Sequence, residues 1–485
     1  MAIRYRRTDR KRHRDRGKAR GRAAAVAFGL CIAAAAAGCG LTACGSAHRN
    51  PETEIGVRES SPEEAAPVPE TEESGTQTES SETASEPETE EVILPARYDL
   101  REVIPGLSAP DQGTLSTCWA FAALKALETA MPETLRMELA ADHMSLKNSF
   151  GLPVSKGGDY SIASSYLLAW QGPVPAAEDP YGDGETPEDA EPVCHVQETR
   201  IPGKKDHEAI KRAVFQSGGV QSSIYMPAEG GGEWERYYRE DTCSYYYDGT
   251  REPDHDIVIV GWDDDWPAEN FTKEPARDGA YLCMNTWGES FGDNGFFYVS
   301  YDDARIGINN VSYTGAESAD NYGTLYQTDL CGWTGQLGYG SPEAWFANVY
   351  SAEKNGFLRA AGFYAVAPDT EYRIYTAKLS ESDDAESAGF ERRRLAAEGV
   401  LENAGFYTIR WTKPVWAREG ERFAVIVQIC SPGTAEPVAI EYRAGERTRN
   451  VDISDGEGYI SFDGEQWQRA ETAQNCNVCL KVYGD

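Results

Sequence analysis

The sequence is short of positive charge. It has 46 lysine and arginine residues against 79 aspartate and glutamate residues, which gives a formal net charge of −33 at pH 7. Eleven of those basic residues lie within the first 44 positions, so the remainder is more acidic still. Such a surface repels nucleic acid and anionic lipid. We therefore expect no nucleic-acid partner.

Long hydrophobic runs are also missing. The apolar segment Ala23–Ala37 is too short to span a bilayer. It follows the basic stretch Arg4–Arg22 and precedes Leu41-Thr42-Ala43-Cys44, which resembles the lipobox of bacterial lipoproteins. We predict a lipoprotein signal peptide over residues 1–44, cut before a lipid-modified Cys44. Cleavage before Cys39 and an ordinary signal peptide are the alternatives. The prediction places the protein at the bacterial cell surface, held to the membrane by lipid only, or secreted.

Residues 45–92 lack apolar periodicity and are rich in Pro, Ser, Thr and Glu. This composition cannot bury enough apolar surface to fold, so we predict a disordered linker. Folded structure is expected near Val92-Ile93-Leu94-Pro95. A change of sequence texture then predicts two domains, at 93–315 and 316–485.

The first of these domains reads as an α+β unit. Apolar residues at three- and four-residue spacing predict a helix from Cys118 to Met131, ended by Pro132. Further helices are predicted over 161–170 and 206–216. Strands are predicted over 220–225, 257–260, 280–284 and 295–299. A helical lobe is thus followed by a β lobe, with the change near residue 215.

The second domain is almost wholly strand and turn. Short β-rich runs, separated by Gly, Pro, Asn and Asp, occupy 345–350, 358–366, 371–379, 406–411, 422–430, 438–442, 458–462 and 478–483. Many short strands at this spacing predict a β-sandwich or jelly roll.

Histidine is scarce, which narrows the search for a catalytic base. Cys118 stands where a Gly- and hydroxyl-rich loop enters a helix, and a helix N-terminus favours the reactive thiolate. Of the four histidines beyond residue 50, His255 directly precedes the apolar run Ile257–Val260, so a buried strand would fix its position. Asn285, at the end of a predicted strand, can accept a hydrogen bond from one imidazole N–H. His195 is read as part of a polar loop.

Three motifs in this order resemble those of papain-like cysteine peptidases. Gln112–Phe121 matches the family's Gln-Gly-x-x-x-x-Cys-Trp-Ala-Phe, and His255–Trp262 matches its His followed by an apolar strand. Asn285–Gly295 matches Asn-Ser-Trp-Gly-x-x-Trp-Gly-x-x-Gly, with Thr286 for Ser and Phe291 for Trp. The resemblance implies the two-lobed papain-like fold and hydrolysis of peptide or protein substrates through an acyl-enzyme.

The resemblance also implies roles for single residues. Cys118 would be the nucleophile and His255 the base, in a thiolate–imidazolium pair, with Asn285 orienting His255. Gln112 and the backbone N–H of Cys118 would form the oxyanion hole. The residues implied at the substrate or around the site are Gly157, Gly158, Asp256 and Trp287. A plain turn is the alternative for Gly157-Gly158.

Departures from the family pattern concern the cleft. Leu115 and Ser155 replace a pair of cysteines that many relatives bond to each other, so both partners are missing together. Ser116 replaces a glycine. Asp256 replaces a small residue near the S2 pocket, from which we predict a preference for a basic P2 side chain.

The second domain resembles the lectin-like β-sandwich of bacterial and archaeal secreted papain-like peptidases. Its expected partners are cell-surface glycans or proteins. Its tryptophans at 333, 411, 416 and 467 would either stack on sugars or pack in the core. The remaining cysteines give no zinc pattern, and no metal or cofactor is expected. Rival functions are a catalytically silent surface adhesion protein and a transpeptidase using the same residues.

Overall fold

The path of the chain is taken from a computed structural model, which describes residues 33–34, 92–380 and 389–485. Cys44, the predicted cleavage site and the linker up to residue 91 lie outside the described residues. The described α-helices are α1 Leu100–Val103, α2 Cys118–Ala130, α3 Ala141–Lys147, α4 Tyr160–Leu168, α5 His207–Ser217, α6 Trp234–Tyr237 and α7 Ala470–Ala473. Within this part of the chain, no helix has the length and apolarity needed to cross a membrane.

The strands fall into an early and a late set. The early set is β1 Ala33–Ala34, β2 Arg97–Asp99, β3 Cys194–Ile201, β4 Val220–Ile224, β5 Tyr238–Arg239, β6 Ser244–Tyr245, β7 His255–Asp263, β8 Ala280–Met284, β9 Phe296–Ser300 and β10 Asn310–Ser318. The late set is β11 Thr324–Tyr326, β12 Gly335–Leu337, β13 Glu343–Ser351, β14 Gly356–Ala365, β15 Thr370–Leu379, β16 Arg394–Leu401, β17 Ala404–Ala417, β18 Arg422–Cys430, β19 Val438–Tyr442, β20 Gly458–Ser461, β21 Gln468–Arg469, β22 Cys476–Val478 and β23 Leu480–Gly484.

Helix α2 forms the centre of the first domain. Its residues are apolar on nearly every side, and a helix of that kind is stable only when it is buried. Residues 119–120 and 122–129 are buried in the helix. The backbone N–H of Met131 caps the C-terminal end by donating to Leu127 O. The helix packs against β7, so the first residues of both elements lie in the same region.

Strand β7 lies in the middle of an antiparallel sheet in the order β4-β7-β8-β9. All but the last of its residues are buried, because helices cover it, and this explains its unbroken apolar run. The predicted helical lobe followed by a β lobe is confirmed, with α5 beginning after Asp206, whose carboxylate accepts from Ala209 N.

The two domains share one sheet. Residues Ala404–Tyr407 of β17 pair antiparallel with Glu198–Ile201 of β3, so strands of the C-terminal domain continue the sheet of the first domain. At this junction Gly405 has φ 148°, and a Cβ there would lie 2.0 Å from Thr199 O. A side chain at this position is therefore excluded on both grounds.

The C-terminal domain packs this shared sheet against a second one, in the order β16-β15-β18-β13-β20-β21. Side chains of both sheets, such as Phe363 from β14 and Phe346 and Val427 from β13 and β18, form one buried cluster. The predicted all-β C-terminal fold is confirmed. Trp411 and Trp467 are buried, as the core alternative for these side chains expects.

One local prediction was wrong, and one long strand was missed. His195 lies in strand β3, not in a polar loop, because its neighbours Cys194 and Val196 are buried and the segment pairs with β10. Its ring stacks on Trp170 at 3.6 Å between centroids. Strand β16 was missed because its Arg, Ala, Glu and Leu residues favour helices.

Candidate active site

Cys118 occupies the first position of α2, before the first helical hydrogen bond, which Ala120 N donates to Thr117 O. Gln221 Nε2 on β4 donates to Trp119 O at 3.2 Å and to Asp256 Oδ2 at 2.8 Å, which joins the first turn of α2 to the start of β7. The backbone N–H groups of Asp256 and Trp119 act to lower the pKa of the Cys118 thiol. Because Asp256 directly follows His255 on β7, the helix N-terminus that carries Cys118 is joined to the strand end that carries His255.

His255 is held by Asn285. The imidazole Nε2 lies 2.7 Å from Asn285 Oδ1, which also accepts from Thr286 N at 2.8 Å. A backbone N–H can only donate, so the atom facing it must be the amide oxygen. Nε2 is then the protonated nitrogen of the neutral ring, and Nδ1 carries the free lone pair.

Trp287 covers this pair. Its ring centroid lies 4.9 Å from that of His255, and Trp234 and Phe291 pack on the indole in turn. Asn285 is fully buried. Exclusion of water strengthens the His255–Asn285 hydrogen bond.

Both polar atoms of the Gln112 side-chain amide form hydrogen bonds. Oε1 accepts from Thr286 Oγ1 at 2.6 Å, and Nε2 donates to Leu115 O at 2.7 Å. The second hydrogen of Nε2 is left over. A pre-oriented donor of this kind is what an oxyanion hole requires.

The loop before Cys118 has two further anchors. Tyr181 Oη donates to Gln112 O at 2.8 Å, so it accepts from Thr117 Oγ1, which lies at 2.5 Å. Sequence reasoning missed Tyr181, because it lies in a polar segment that carries no pattern. The sequence motif identified Thr286 only as a replacement for serine. In the structure its hydroxyl orients Gln112 by donating to Oε1.

Gly157 and Gly158 each need to be glycine, for different reasons. Gly157 has φ 69°, in the left-handed region, and lies close to Ser116 O. At Gly158 a Cβ would come within 2.5 Å of the Trp119 ring. The Gly157-Gly158 segment therefore faces the loop that leads to Cys118. Asp159, the next residue, caps the N-terminus of α4.

Asp256 is turned into the protein. Its Oδ1 accepts from Ser223 Oγ at 2.6 Å and its Oδ2 from Gln221 Nε2 at 2.8 Å. Burial nevertheless raises the pKa of this carboxyl to about 6. Ser223 and Gln221, both on β4, are site neighbours that the sequence did not single out.

Burial disfavours a charge on either reacting group alone. It raises the pKa of Cys118 to about 12, with the charge of Asp256 adding to the effect. It lowers the pKa of His255 to about 4, while the hydrogen bond with Asn285 acts in the opposite direction. Neither group by itself is therefore favoured in its charged form at this depth of burial.

The other candidate groups are placed elsewhere. The cysteines of the described residues are all free, and Cys476 and Cys479 are buried in the C-terminal domain. In the part of the chain that the structure describes, no group of three or more His, Cys, Asp or Glu residues is arranged to hold a metal ion.

Comparison with protein families assigns both parts of the chain. Residues 94–316 match the model described as papain family cysteine protease. They form a papain-family cysteine protease domain. Residues 325–484 match the lectin like domain, so the protease domain is followed by a lectin-like domain.

Curated relatives resemble the protease domain. The cysteine protease Amb a 11.0101 of Ambrosia artemisiifolia is 26% identical over 224 residues, covering 45% of this chain and 54% of that protein. A viral cathepsin of Heliothis zea nuclear polyhedrosis virus is 24% identical over 233 residues, covering 45% and 56%. The chain thus spans about half the length of these relatives.

Solved structures match over both domains. The cysteine protease and lectin-like domains of Cwp84, a surface layer associated protein of Clostridium difficile, are 21% identical with a TM-score of 0.69, covering 81% of this chain and 89% of that one. Cwp84 after propeptide cleavage is 22% identical with a TM-score of 0.68, covering 80% and 99%. These likenesses show a shared fold for the protease and lectin-like domains together.

Proposed function

We propose that this protein is a cysteine endopeptidase that acts at the cell surface or after secretion. The observation that carries the proposal is the buried His255–Asn285 pair at 2.7 Å, at the start of the strand that Gln221 Nε2 joins to the first turn of the Cys118 helix. Asn285 fixes the tautomer that leaves Nδ1 of His255 free to take the thiol proton. A degenerate site would have no need of this arrangement.

The reaction then runs in two halves. The Cys118 sulfur attacks the substrate carbonyl as its proton passes to His255, and the oxyanion is held by Gln112 Nε2 and the Cys118 N–H. His255 returns the proton to the leaving amine, which leaves a thioester. Water, deprotonated by His255, then releases the acid and restores the thiol.

Cleavage of a quenched peptide library under reducing conditions tests this function. The wild type should hydrolyse internal bonds, whereas Cys118→Ala should lose at least about 10³-fold in kcat. Cys243→Ala, a change at a partly exposed cysteine outside the site, is the matched control. Mass spectra with an added amine acceptor separate the two outcomes: new carboxylates indicate hydrolysis and new amides indicate transpeptidation. Absence of any cleavage by the wild type contradicts the proposal.

The same library addresses the substrate-binding residues. Gly157 and Gly158 would bind the substrate backbone in extended form, and Asp256 would favour a basic P2 side chain. Both Asp256 oxygens already accept hydrogen bonds, so the preference would act through the charge rather than through a direct contact. A flat P2 profile, or an unchanged one in Asp256→Ala, contradicts that role.

The lectin-like domain is proposed to bind cell-surface glycans or proteins. Trp416 is 45% exposed and its ring meets that of Phe357 at 4.9 Å, which gives an open aromatic surface. Binding of the protein to isolated cell walls would support this role if Trp416→Ala abolished that binding. Unchanged binding of the Trp416→Ala variant would contradict it.

A further inference from the structure

One loop of the lectin-like domain lies against the wall of the substrate cleft. Residues 443–451 follow β19 and are closed on themselves, with Ala444 N donating to Thr448 Oγ1 at 2.6 Å and Arg443 Nε to Val451 O at 2.7 Å. These bonds give the loop a defined shape. The backbone position of Arg447 is therefore fixed by the loop.

The loop meets the segment that carries the two cleft glycines. Gly151 N donates to Arg447 O at 2.8 Å, and a Cβ on Gly151 would lie 2.4 Å from Arg449 Cγ. Asn450 Nδ2 reaches Ser149 O at 3.4 Å. The segment 149–151 is thus held against the second domain by one backbone hydrogen bond and by side-chain contacts from Arg449 and Asn450.

Arg447 then reaches the residue next to Gly158. Its Nη2 donates to Asp159 Oδ1 at 2.7 Å and to Ser161 Oγ at 2.5 Å, while its guanidinium lies over the Phe150 ring. Asp159 has a second task, since the same oxygen accepts from Ser161 N and caps α4. The pair therefore fixes the end of the Gly157-Gly158 segment where α4 begins.

The pair also affects the electrostatics of the cleft wall. Arg447 favours the charged form of Asp159, whose pKa is lowered against its burial. The charge of Asp159 acts in turn on Asp256, and that of Asp256 acts on Cys118. Without Arg447 the cleft wall would hold an uncompensated carboxylate, which is costly in a partly buried place.

We propose that Arg447 is a positioning residue through which the lectin-like domain shapes the substrate-binding wall of the protease domain. It holds Asp159, and so the Gly157-Gly158 segment, in the conformation that pairs with an extended peptide. The proposal rests on the proposed peptidase function, because it concerns that cleft. It makes the lectin-like domain a part of the working enzyme in addition to any binding role of its own.

Steady-state kinetics of the full chain on a peptide that fills P3 to P1 test this role. Arg447→Gln should raise KM about tenfold with kcat within about twofold, because the reacting groups stay in place. Arg447→Lys keeps the charge but not the forked contact with Asp159 and Ser161, so its KM should lie between those of the wild type and Arg447→Gln. A merely structural loss would instead lower the amount of active enzyme, and with it the apparent kcat.

A double-mutant cycle makes the assignment specific. Asp159→Asn should raise KM as Arg447→Gln does, and the double variant should raise it no further, because the two residues act as one pair. Arg410→Gln is the matched control, since it breaks an arginine–carboxylate ion pair away from the Gly157-Gly158 segment, that of Arg410 on β17 with Glu317 on β10 at 2.6 Å. Its KM should stay unchanged.

The outcomes are separable from those of the proposed function. If the wild type does not cleave, the peptidase proposal fails first. If the wild type cleaves and Arg447→Gln keeps its KM within twofold, or if the effects of the two single variants multiply, the role of Arg447 is overturned.

Discussion

Single hydrogen-bond directions decide the chemistry of this site. Thr286 N fixes the amide of Asn285, Asn285 fixes the tautomer of His255, and Thr286 Oγ1 fixes Gln112. Two adjacent residues, Asn285 and Thr286, thus orient the side chains of both His255 and Gln112. The motif predicted which residues converge, but it held no signal for the hydroxyl of Tyr181, which lies far from Gln112 in sequence.

Asp256 gives a prediction for stability against pH. Burial raises its pKa from 3.8 to about 6, so the folded state binds its proton more tightly than the unfolded state. The associated stabilisation is complete below pH 4 and is lost as the pH rises through 6. Asp256→Asn keeps the donor and acceptor pattern of the protonated acid, so at pH 8 the variant should be more stable than the wild type by up to about 3 kcal/mol.

Urea unfolding at several pH values checks this. The two proteins should have similar unfolding free energies at pH 4 and separate between pH 4 and 7. A constant difference across the range would show that Asp256 does not titrate as its burial requires.

At the scale of elements, α2 and the Gly157-Gly158 turn depend on each other. The N-terminal turn of the helix presents Cys118 to the cleft, while the Trp119 ring fills the space under Gly158. The sequence predicted α2 from its apolar spacing, and every predicted end of α2, α4 and α5 lies within two residues of the observed one. Periodicity could not show that the turn and the helix touch, because that contact is tertiary.

Gly158→Ala tests this contact. Its methyl group would overlap the Trp119 ring and should lower the unfolding free energy by about 1–3 kcal/mol. Gly232→Ala is the control, since nothing lies within 4 Å of that position and its φ is not in the left-handed region. Equal stability of the two variants in denaturant unfolding would rule out close packing at Gly158.

At the scale of the whole molecule, the shared sheet joins the protease and lectin-like domains. The pairing of β17 with β3 connects residues about two hundred positions apart, and no local pattern reports such a partner. The sequence indicated both domain types and the boundary near residue 316, but held no signal for the sheet that joins them.

The shared sheet predicts cooperative unfolding. In calorimetry the wild type should melt in one transition with equal calorimetric and van't Hoff enthalpies. Gly405→Ala should split this transition in two, because its Cβ would overlap Thr199 O and break the pairing of β17 with β3. Two transitions in the wild type would contradict the coupling, as would a single one in the variant.

Covalent labelling tests the central claim most directly. The full chain is treated with a peptidyl epoxysuccinyl inhibitor under reducing conditions, and the site of addition is read by mass spectrometry. The proposed site predicts one adduct on Cys118, a loss of that adduct in Cys118→Ala, and a strongly reduced rate in His255→Ala. No adduct on the wild type, or equal labelling of Cys118→Ala, would contradict the proposed peptidase function.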